Sequence, residues 1–242
     1  MARFLRIAHR GASGTYPENT RIAFEKALEC HADMIELDCQ LSADGHVVVF
    51  HDEELRRTAG VRGVLHEQTL AQLKALDIGR WRHRRFSGAQ ILTLEEALEI
   101  IAGRAGLCLE IKQFPHSQPG IELKLLFILS HYDYLDRTIV TSFDYRALSR
   151  VRELAPDARI GLIYTKSTKD DPFHAAMQLG AESLHVHKDV AMRAFVSQAW
   201  EQGLGVYVWT VNHRAEIESF GAMGVQGIFS DFPERLWLKR YC

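Results

Sequence analysis

Cysteine, proline and long apolar runs are scarce in this sequence of 242 residues, which contains four cysteines and six prolines. The cysteines (Cys30, Cys39, Cys108 and Cys242) have neither the spacing of a metal or redox motif nor the density of a disulfide scaffold. We therefore predict reduced thiols in a cytoplasmic protein. No apolar run approaches the ~18 residues of a membrane span, and the first residues lack the apolar segment typical of a secretory signal.

A surplus of charge of either sign is also missing. Lysine and arginine total 29, aspartate and glutamate total 31, and the net charge is −2. This balance argues against a general nucleic-acid binder, which normally carries a basic surplus, but it allows a local cationic cluster for a small anion. With 47% hydrophobic and 25% charged residues, the composition is typical of a soluble globular protein. We expect a single domain over residues 1–242.

Short apolar β-like runs alternate with amphipathic helical segments along the chain. Thr93 and Glu96 form a predicted capping box at one helix, and Asp144 can cap another that ends before Pro156. This alternation implies a parallel sheet, and at this length we expect an α/β fold of the (β/α)8 or TIM-barrel class. The strand candidates are Phe4–Ala8, Met34–Cys39, Val47–Phe50, Leu107–Ile111, Thr138–Phe143, Arg159–Tyr164, Ser183–Val186, Gly205–Thr210 and Gln226–Phe229.

These candidates outnumber the eight strands of such a barrel by one. The turn signal Ser42–Gly45 predicts that Val47–Phe50 folds back on the preceding strand as a hairpin, which leaves eight barrel strands. Pro233–Arg240 is then the predicted closing helix. The stretch from about 53 to 90 is too long for an ordinary βα loop, so we predict a small insertion over the C-terminal mouth, with a short helix near Thr69–Leu76.

Unusual polar side chains occur at or just after the ends of the predicted strands. In a barrel these ends form one mouth, so the side chains should converge there. Carboxylates that converge need a cation to offset their repulsion, and hard oxygen ligands favour Mg²⁺ or Ca²⁺. The residues concerned are His9, Arg10, Glu36, Asp38, His51, Glu110 and Lys112.

This set of residue types is suited to phosphoryl chemistry. A divalent cation beside Arg10 and Lys112 can neutralise phosphate oxygens, while two histidines can supply a proton acceptor and a proton donor. Each feature alone has a plainer explanation, such as a solvated carboxylate pair or a surface histidine. Their joint occurrence at strand ends argues against those explanations as a set. Asn19 and Thr20 could cap the first helix, and Asn19 could also bind phosphate.

A series of motifs that runs in order across the chain resembles the glycerophosphodiester phosphodiesterase family, in particular its bacterial cytoplasmic members. These motifs are Ala8–Gly11, Pro17–Thr20, Ile35–Asp38, Asp44–Gly45, Phe50–Asp52, Leu55–Thr58, Thr93–Glu96, Glu110–Lys112, Ser142–Phe143, Trp209–Asn212 and Gly227–Asp231. The resemblance implies a barrel with an insertion after the His51 segment. It also implies metal-dependent hydrolysis of glycerophosphodiesters to sn-glycerol 3-phosphate and an alcohol.

The resemblance further implies a role for each site residue. Glu36, Asp38 and Glu110 would bind one divalent cation, His9 and His51 would act as acid and base, Arg10 and Lys112 would hold phosphate, and Phe143 and Trp209 would form an apolar wall. The expected partner is a small glycerophosphodiester, with no nucleic acid and no stable membrane association. The alternatives are a phospholipase of the C or D type on a related barrel and a phosphate-binding barrel without catalysis. The metal, the alcohol, the oligomeric state, the order of the histidines and a cyclic phosphate intermediate stay open.

Overall fold

The computed structural model describes residues 4–113 and 118–237, and its strands form a closed barrel. The strands in this part of the chain are β1 (Leu5–His9), β2 (Met34–Leu41), β3 (Val47–Val49), β4 (Leu92–Thr93), β5 (Gly106–Ile111), β6 (Thr138–Ser142), β7 (Arg159–Tyr164), β8 (Ser183–His187), β9 (Gly205–Trp209) and β10 (Gly227–Ser230). The strand order β1-β10-β9-β8-β7-β6-β5-β2 is parallel, and β1 pairs with β2 to close it. The predicted eight-stranded barrel is confirmed.

Nine α-helices are present in the described residues, seven of them flanking the barrel and two, α2 and α3, in the predicted insertion. They are α1 (Arg21–Glu29), α2 (Arg56–Ala59), α3 (Leu70–Lys74), α4 (Leu94–Ile101), α5 (Ile121–His131), α6 (Tyr145–Leu154), α7 (Pro172–Leu179), α8 (Arg193–Glu201) and α9 (Arg214–Met223). The side chain of Thr20 caps α1, the predicted Thr93 capping box begins α4, and Asp144 caps α6. Each cap satisfies backbone N–H groups that lack a partner within the helix. Among the described residues, no helix has both the length and the apolar character needed to cross a membrane.

The ninth predicted strand is β3, which pairs antiparallel with β2 as the expected hairpin. The structure adds β4, which pairs antiparallel with β3 and was not predicted. Its two residues, Leu92 and Thr93, are too few to give an alternating pattern, and Thr93 also serves as the N-cap of α4. Of the predicted closing helix, Pro233–Leu236 forms a short 3₁₀ helix, and residues 238–240 lie outside the described residues.

Residues 50–91 lie between β3 and β4 and contain α2, α3 and two 3₁₀ turns, Leu65–Glu67 and Arg84–Phe86. The short helix predicted near Thr69–Leu76 is α3, which Thr69 and Gln72 begin with a capping box. This segment packs, together with Val48 of β3, into an apolar cluster separate from the barrel core, whose other members are Phe50, Leu55, Leu65, Leu73, Ile78 and Ile91. The cluster explains how a charged and glycine-rich stretch is held in one conformation.

The barrel interior is filled below the mouth by a compact cluster that includes Ile7, Met34, Cys108 and Phe229. The opposite strand faces pack against the helices, as with Ile35 and Leu37 on β2. Since side chains alternate along a strand, residues two positions beyond the interior cluster also point inward and lie nearer the mouth. His9, Glu36 and Glu110 occupy such positions, immediately above a packed floor.

Candidate active site

The barrel register brings three carboxylates together. Glu36 lies opposite His9 across the β1–β2 pair, and Asp38 lies opposite Glu110 across the β2–β5 pair. One oxygen from each of Glu36, Asp38 and Glu110 lies within 4.8 Å of the other two. Glu36 and Asp38 are buried and Glu110 is half-buried, so little water is available to screen their charges.

Glu36 and Asp38 have different partners. Asp38 Oδ2 accepts a 2.9 Å hydrogen bond from Asn19 Nδ2 and lies 3.3 Å from Arg10 Nε, and Asp38 Oδ1 lies 3.5 Å from Lys112 Nζ. Burial disfavours the charged form, but the cations Arg10 and Lys112 outweigh it and lower the pKa of Asp38. Glu36 accepts one bond, 2.8 Å from the Arg10 backbone N–H. Burial and the negative charge of Asp38 raise the pKa of Glu36 well above its usual value.

The oxygen atoms around this cluster fit a divalent cation. Asp38 Oδ1 and Asn19 Oδ1 are buried, and neither accepts a hydrogen bond within the described residues. A buried carboxylate oxygen without a donor is costly unless another positive group contacts it. Carboxylate and amide oxygens are hard donors of the kind that Mg²⁺ and Ca²⁺ prefer. Glu36, Asp38 and Glu110 could therefore hold such an ion.

His9, at the end of β1, is held by a carboxylate that follows the last barrel strand. Its Nδ1 donates a 2.7 Å hydrogen bond to Asp231 Oδ1, which leaves Nε2 4.0 Å from Glu36 Oε2. Asn212 donates to the other oxygen of Asp231 at 2.7 Å. Burial opposes ionisation of Asp231, but the bonds from His9 and Asn212 lower its pKa to about 2. Asp231 therefore carries a fixed negative charge behind the imidazole.

His51, just after β3, is also held by a carboxylate, Asp52, as His9 is held by Asp231. Its Nδ1 donates a 2.7 Å hydrogen bond to Asp52 Oδ1, and Asp52 Oδ2 accepts a 2.5 Å bond from Arg57 Nε. Although burial opposes ionisation, the bonds from His51 and Arg57 lower the pKa of Asp52. In both histidines the carboxylate fixes the ring tautomer with a proton on Nδ1, so Nε2 is the atom available for chemistry.

Two cations lie beside the carboxylates. The Lys112 Nζ donates a 2.7 Å hydrogen bond to Glu110, and Arg10 Nη1 donates a 2.9 Å bond to Glu18. Burial lowers the pKa of Arg10 and of Lys112, but the neighbouring carboxylates outweigh it, so both pKa values are raised. Both groups are therefore charged at neutral pH and face the same cavity.

A cavity of about 220 Å³ opens between these groups and an aromatic wall. The wall consists of Phe143, which is 42% exposed, and Trp209, whose ring meets it edge-on at 6.1 Å. Trp209 is fixed by a 3.1 Å hydrogen bond from its Nε1 to the carbonyl oxygen of His185. His185 lies at the cavity floor, where burial lowers its pKa to about 3 and keeps the ring neutral.

The residues chosen from the sequence gather at this one place. Eight of them line the cavity: His9, Arg10, Glu36, His51, Glu110, Lys112, Phe143 and Trp209. Asp38 is fully buried beside them. Asn19, predicted to bind phosphate, does not line the cavity: it is buried behind Asp38 and gives its amide N–H to that carboxylate. Its location favours a role in orienting Asp38.

Sequence reasoning assigned no role to several residues of the site. Four of them lie inside the motifs named above, and that position was the available signal of a role in the site: Glu18, Asp52, Arg57 and Asp231. His185 lies in none of those motifs, and its place at the floor could not be inferred from its neighbours in the chain.

Comparison with known proteins gives a consistent result. The model of the glycerophosphoryl diester phosphodiesterase family matches residues 9–235. A glycerophosphodiester phosphodiesterase from Caldanaerobacter subterraneus subsp. tengcongensis is 40% identical over 231 residues, with 95% of each chain covered. The structure of an Oleispira antarctica phosphodiesterase in complex with its product sn-glycerol 3-phosphate superposes with a TM-score of 0.89 at 30% identity, over 97% of this chain and 95% of that one.

A glycerophosphodiester phosphodiesterase from Agrobacterium tumefaciens superposes with a TM-score of 0.85 at 28% identity, over 97% of this chain and 99% of that one. These similarities extend over nearly the whole sequence, and the range that the family model matches contains the carboxylate, histidine and cation cluster at the barrel mouth. The chain therefore belongs to the glycerophosphoryl diester phosphodiesterase family and is a phosphoric diester hydrolase.

Proposed function

We propose that the chain, acting as one catalytic domain, hydrolyses small glycerophosphodiesters to sn-glycerol 3-phosphate and an alcohol, with one divalent cation, Mg²⁺ or Ca²⁺, held by Glu36, Asp38 and Glu110. The observation that carries the proposal is that both carboxylate-held histidines, two members of the acidic cluster and two cations line one cavity, with Asp38 buried beside them. The Oleispira antarctica relative, whose structure contains sn-glycerol 3-phosphate, supports the identity of the product.

The acidic cluster supports metal dependence. When bound there, a divalent cation would act as a Lewis acid toward a phosphate oxygen. Arg10 and Lys112 add two fixed positive charges that offset the negative charge of the phosphate as it builds in the transition state. Asn19 orients Asp38 from behind, and the Phe143–Trp209 wall excludes water from the same volume, which strengthens these electrostatic interactions.

The two histidines move the protons of the reaction. A neutral imidazole accepts a proton at Nε2 from the attacking oxygen while that oxygen forms its bond to phosphorus. The other imidazole, protonated, gives its Nε2 proton to the alkoxide as the bond between phosphorus and the alcohol oxygen breaks. The phosphate remains on glycerol. Asp231 and Asp52 hold the two rings by Nδ1 and stabilise whichever ring is charged.

We assign the acid role to His51 and the base role to His9. His51 borders an open depression of about 680 Å³ beside Lys112, whereas the depression next to His9 measures about 360 Å³. The alcohol part of the substrate varies in size and leaves first, so the larger opening is the better exit. The proton donor for the leaving oxygen belongs on that side.

Turnover on a panel of substrates tests the proposal. We expect glycerophosphocholine and glycerophosphoethanolamine to yield sn-glycerol 3-phosphate, loss of activity in EDTA, and recovery on addition of Mg²⁺, Mn²⁺ or Ca²⁺. Intact phospholipid vesicles form the second arm, because preferential cleavage of vesicles would favour a phospholipase. Full activity in excess chelator would contradict the metal site.

Histidine variants test the proton transfers separately. His9→Ala and His51→Ala should each reduce turnover of glycerophosphocholine by a factor on the order of 10²–10⁴. A glycerophosphodiester with a nitrophenolate leaving group needs little protonation, so it should restore the activity of His51→Ala and not that of His9→Ala. The reverse rescue would exchange the two roles. Near-normal rates in both variants on glycerophosphocholine would contradict acid–base catalysis by this pair.

A further inference from the structure

One arginine outside the proposed machinery bridges two acidic residues beside it. Arg57, on α2, donates from Nε to Asp52 Oδ2 at 2.5 Å. Its two terminal nitrogens donate to both oxygens of Glu18 at 2.7 Å each. The planar guanidinium thus uses its terminal fork on Glu18 and its Nε–H on Asp52, a geometry that lysine cannot reproduce.

Each of these acidic residues contacts a different part of the site. Asp52 holds the ring of His51 through Nδ1. Glu18 holds Arg10 through a 2.9 Å hydrogen bond, and Arg10 in turn lies 3.3 Å from Asp38. A continuous series of charged contacts therefore extends from the imidazole of His51 through Arg57 to the cation expected to hold phosphate.

The insertion holds α2, and with it Arg57, in place. Leu55 and Thr58, on either side of Arg57 in the sequence, are buried, and Leu55 belongs to the separate apolar cluster with Leu65 and Leu73. The helix ends at Ala59 and is followed by Gly60, whose φ of 71° is in the left-handed region that glycine adopts readily. The Trp81 ring lies 5.7 Å from the Arg57 guanidinium and flanks it from the same insertion.

We propose that Arg57 is a positioning residue for the hydrolysis, acting through Asp52 on His51 and through Glu18 on Arg10. This inference rests on the proposed function of those two residues. It also gives the insertion a specific role, because the small core of the insertion supports the arginine that orients both a proton-transfer group and a phosphate-binding group. Arg57 need not touch the substrate to perform this role.

Removal of the Arg57 guanidinium would leave Asp52 and Glu18 each with one hydrogen-bonding partner fewer. Asp52, about a quarter exposed, could turn toward solvent, and the His51 ring would then lose its fixed orientation. Glu18 would be left with Arg10 as its remaining ion-pair partner in the described residues. It would then compete more strongly with the phosphate for the Arg10 guanidinium. A shift of about 1 Å in a reacting group can cost ~10²-fold in rate.

The test compares Arg57→Gln and Arg57→Lys in the full chain with Arg62→Gln, an exposed arginine of the same insertion outside this contact series. With Mg²⁺ present and glycerophosphocholine as substrate, we expect kcat to fall by about 10- to 100-fold in Arg57→Gln. Arg57→Lys should lose less, because it keeps the charge and loses only the fork. Arg62→Gln should keep the wild-type kcat. Thermal unfolding of each variant establishes that it is folded.

The leaving group separates positioning from a purely structural role. The nitrophenolate ester should recover kcat in Arg57→Gln to the degree that it does in His51→Ala, and the loss of support for Arg10 should raise KM for both substrates. A loss of kcat of equal size on both substrates with an unchanged KM, in step with lowered stability, would overturn the inference. So would wild-type kcat in Arg57→Gln while His51→Ala remains impaired. If His51→Ala itself kept a normal rate, the proposed acid–base mechanism would fail instead.

Discussion

Exchange of Glu36 or Asp38 for its amide should change the stability of the metal-free protein in opposite directions. The two carboxylates are two residues apart on β2 and both are buried, yet their surroundings differ. Asp38 lies near Arg10, Lys112 and the amide of Asn19, which together lower its pKa against the effect of burial. Burial of Glu36 beside the charge of Asp38 has little compensation, and its pKa is raised.

The expected size follows from the contacts that each substitution leaves behind. Breaking a buried ion pair by removal of one partner costs ~3–5 kcal/mol. Arg10 and Lys112 keep a second carboxylate each, Glu18 and Glu110, so we expect Asp38→Asn to lose about 1–3 kcal/mol. At ~2–4 °C per kcal/mol for a chain near this length, that lowers Tm by roughly 2–12 °C.

Glu36→Gln removes a charge that the metal-free site disfavours. The glutamine carbonyl can still accept the 2.8 Å hydrogen bond from the Arg10 backbone N–H. Relief of the repulsion from Asp38 should therefore raise stability by about 1 kcal/mol, or roughly 2–4 °C in Tm.

Thermal unfolding in EDTA, repeated after addition of Mg²⁺ or Ca²⁺, measures both effects. The wild-type protein should gain ~2.7 kcal/mol at a cation concentration of about 100 times Kd, and both variants should lose most of this gain. Glu182→Gln, which removes a half-buried partner of Arg159 away from the cavity, is the matched control and should keep the cation-induced shift. Equal destabilisation by Glu36→Gln and Asp38→Asn in EDTA would refute the reasoning about their surroundings.

Further predictions concern the wall, the floor and the support of His9. Phe143→Ala should raise KM with little loss of stability because the ring is 42% exposed, whereas Trp209→Ala should also lower Tm, since its ring packs against the interior cluster. Steady-state kinetics and thermal unfolding measure the two effects, and equal losses of Tm in the two variants would contradict this difference. Burial lowers the pKa of His185 to about 3. Below pH ~6.5 the unfolded chain therefore binds more protons than the folded one, and stability decreases as the pH is lowered. Between pH 7 and pH 5 this group should cost about 2 kcal/mol, a loss that denaturant unfolding should find absent in His185→Gln. Asp231→Asn should reduce kcat by on the order of 10²-fold because it removes the acceptor that fixes the His9 tautomer, and an unchanged kcat would show that the contact is dispensable.

The sequence was sufficient for those features that depend on local periodicity. Alternation along Met34–Leu41 placed Glu36 and Asp38 on one face, and the turn at Ser42–Gly45 predicted the hairpin that brings His51 to the mouth. The motif positions identified the residue types of the site. In each case the information lies within a few neighbouring residues, which is the range over which a single sequence is informative.

The contacts that orient the site depend on closure of the barrel and could not be read locally. His9 and Asp231 are 222 residues apart, and they meet because β1 pairs with β10. Arg57 and Glu18 are 39 residues apart and meet because the insertion folds back over the first βα loop. His185 reaches the floor through the inward face of β8, which no composition signal marks.

Closure also explains why the acidic cluster and His9 cannot be assembled independently of each other. β1 is the strand that pairs with both β2 and β10, so a single strand places His9 opposite Glu36 and next to Asp231. A shift of one residue in either pairing would turn the inward side chains toward the helices. The acidic cluster and the carboxylate behind His9 therefore depend on the same two registers. The support of His51 is separate, because it comes from the insertion through Arg57 and Asp52. Damage to the small insertion core should thus impair His51, and Arg10 through Glu18, while His9 and the acidic cluster stay intact.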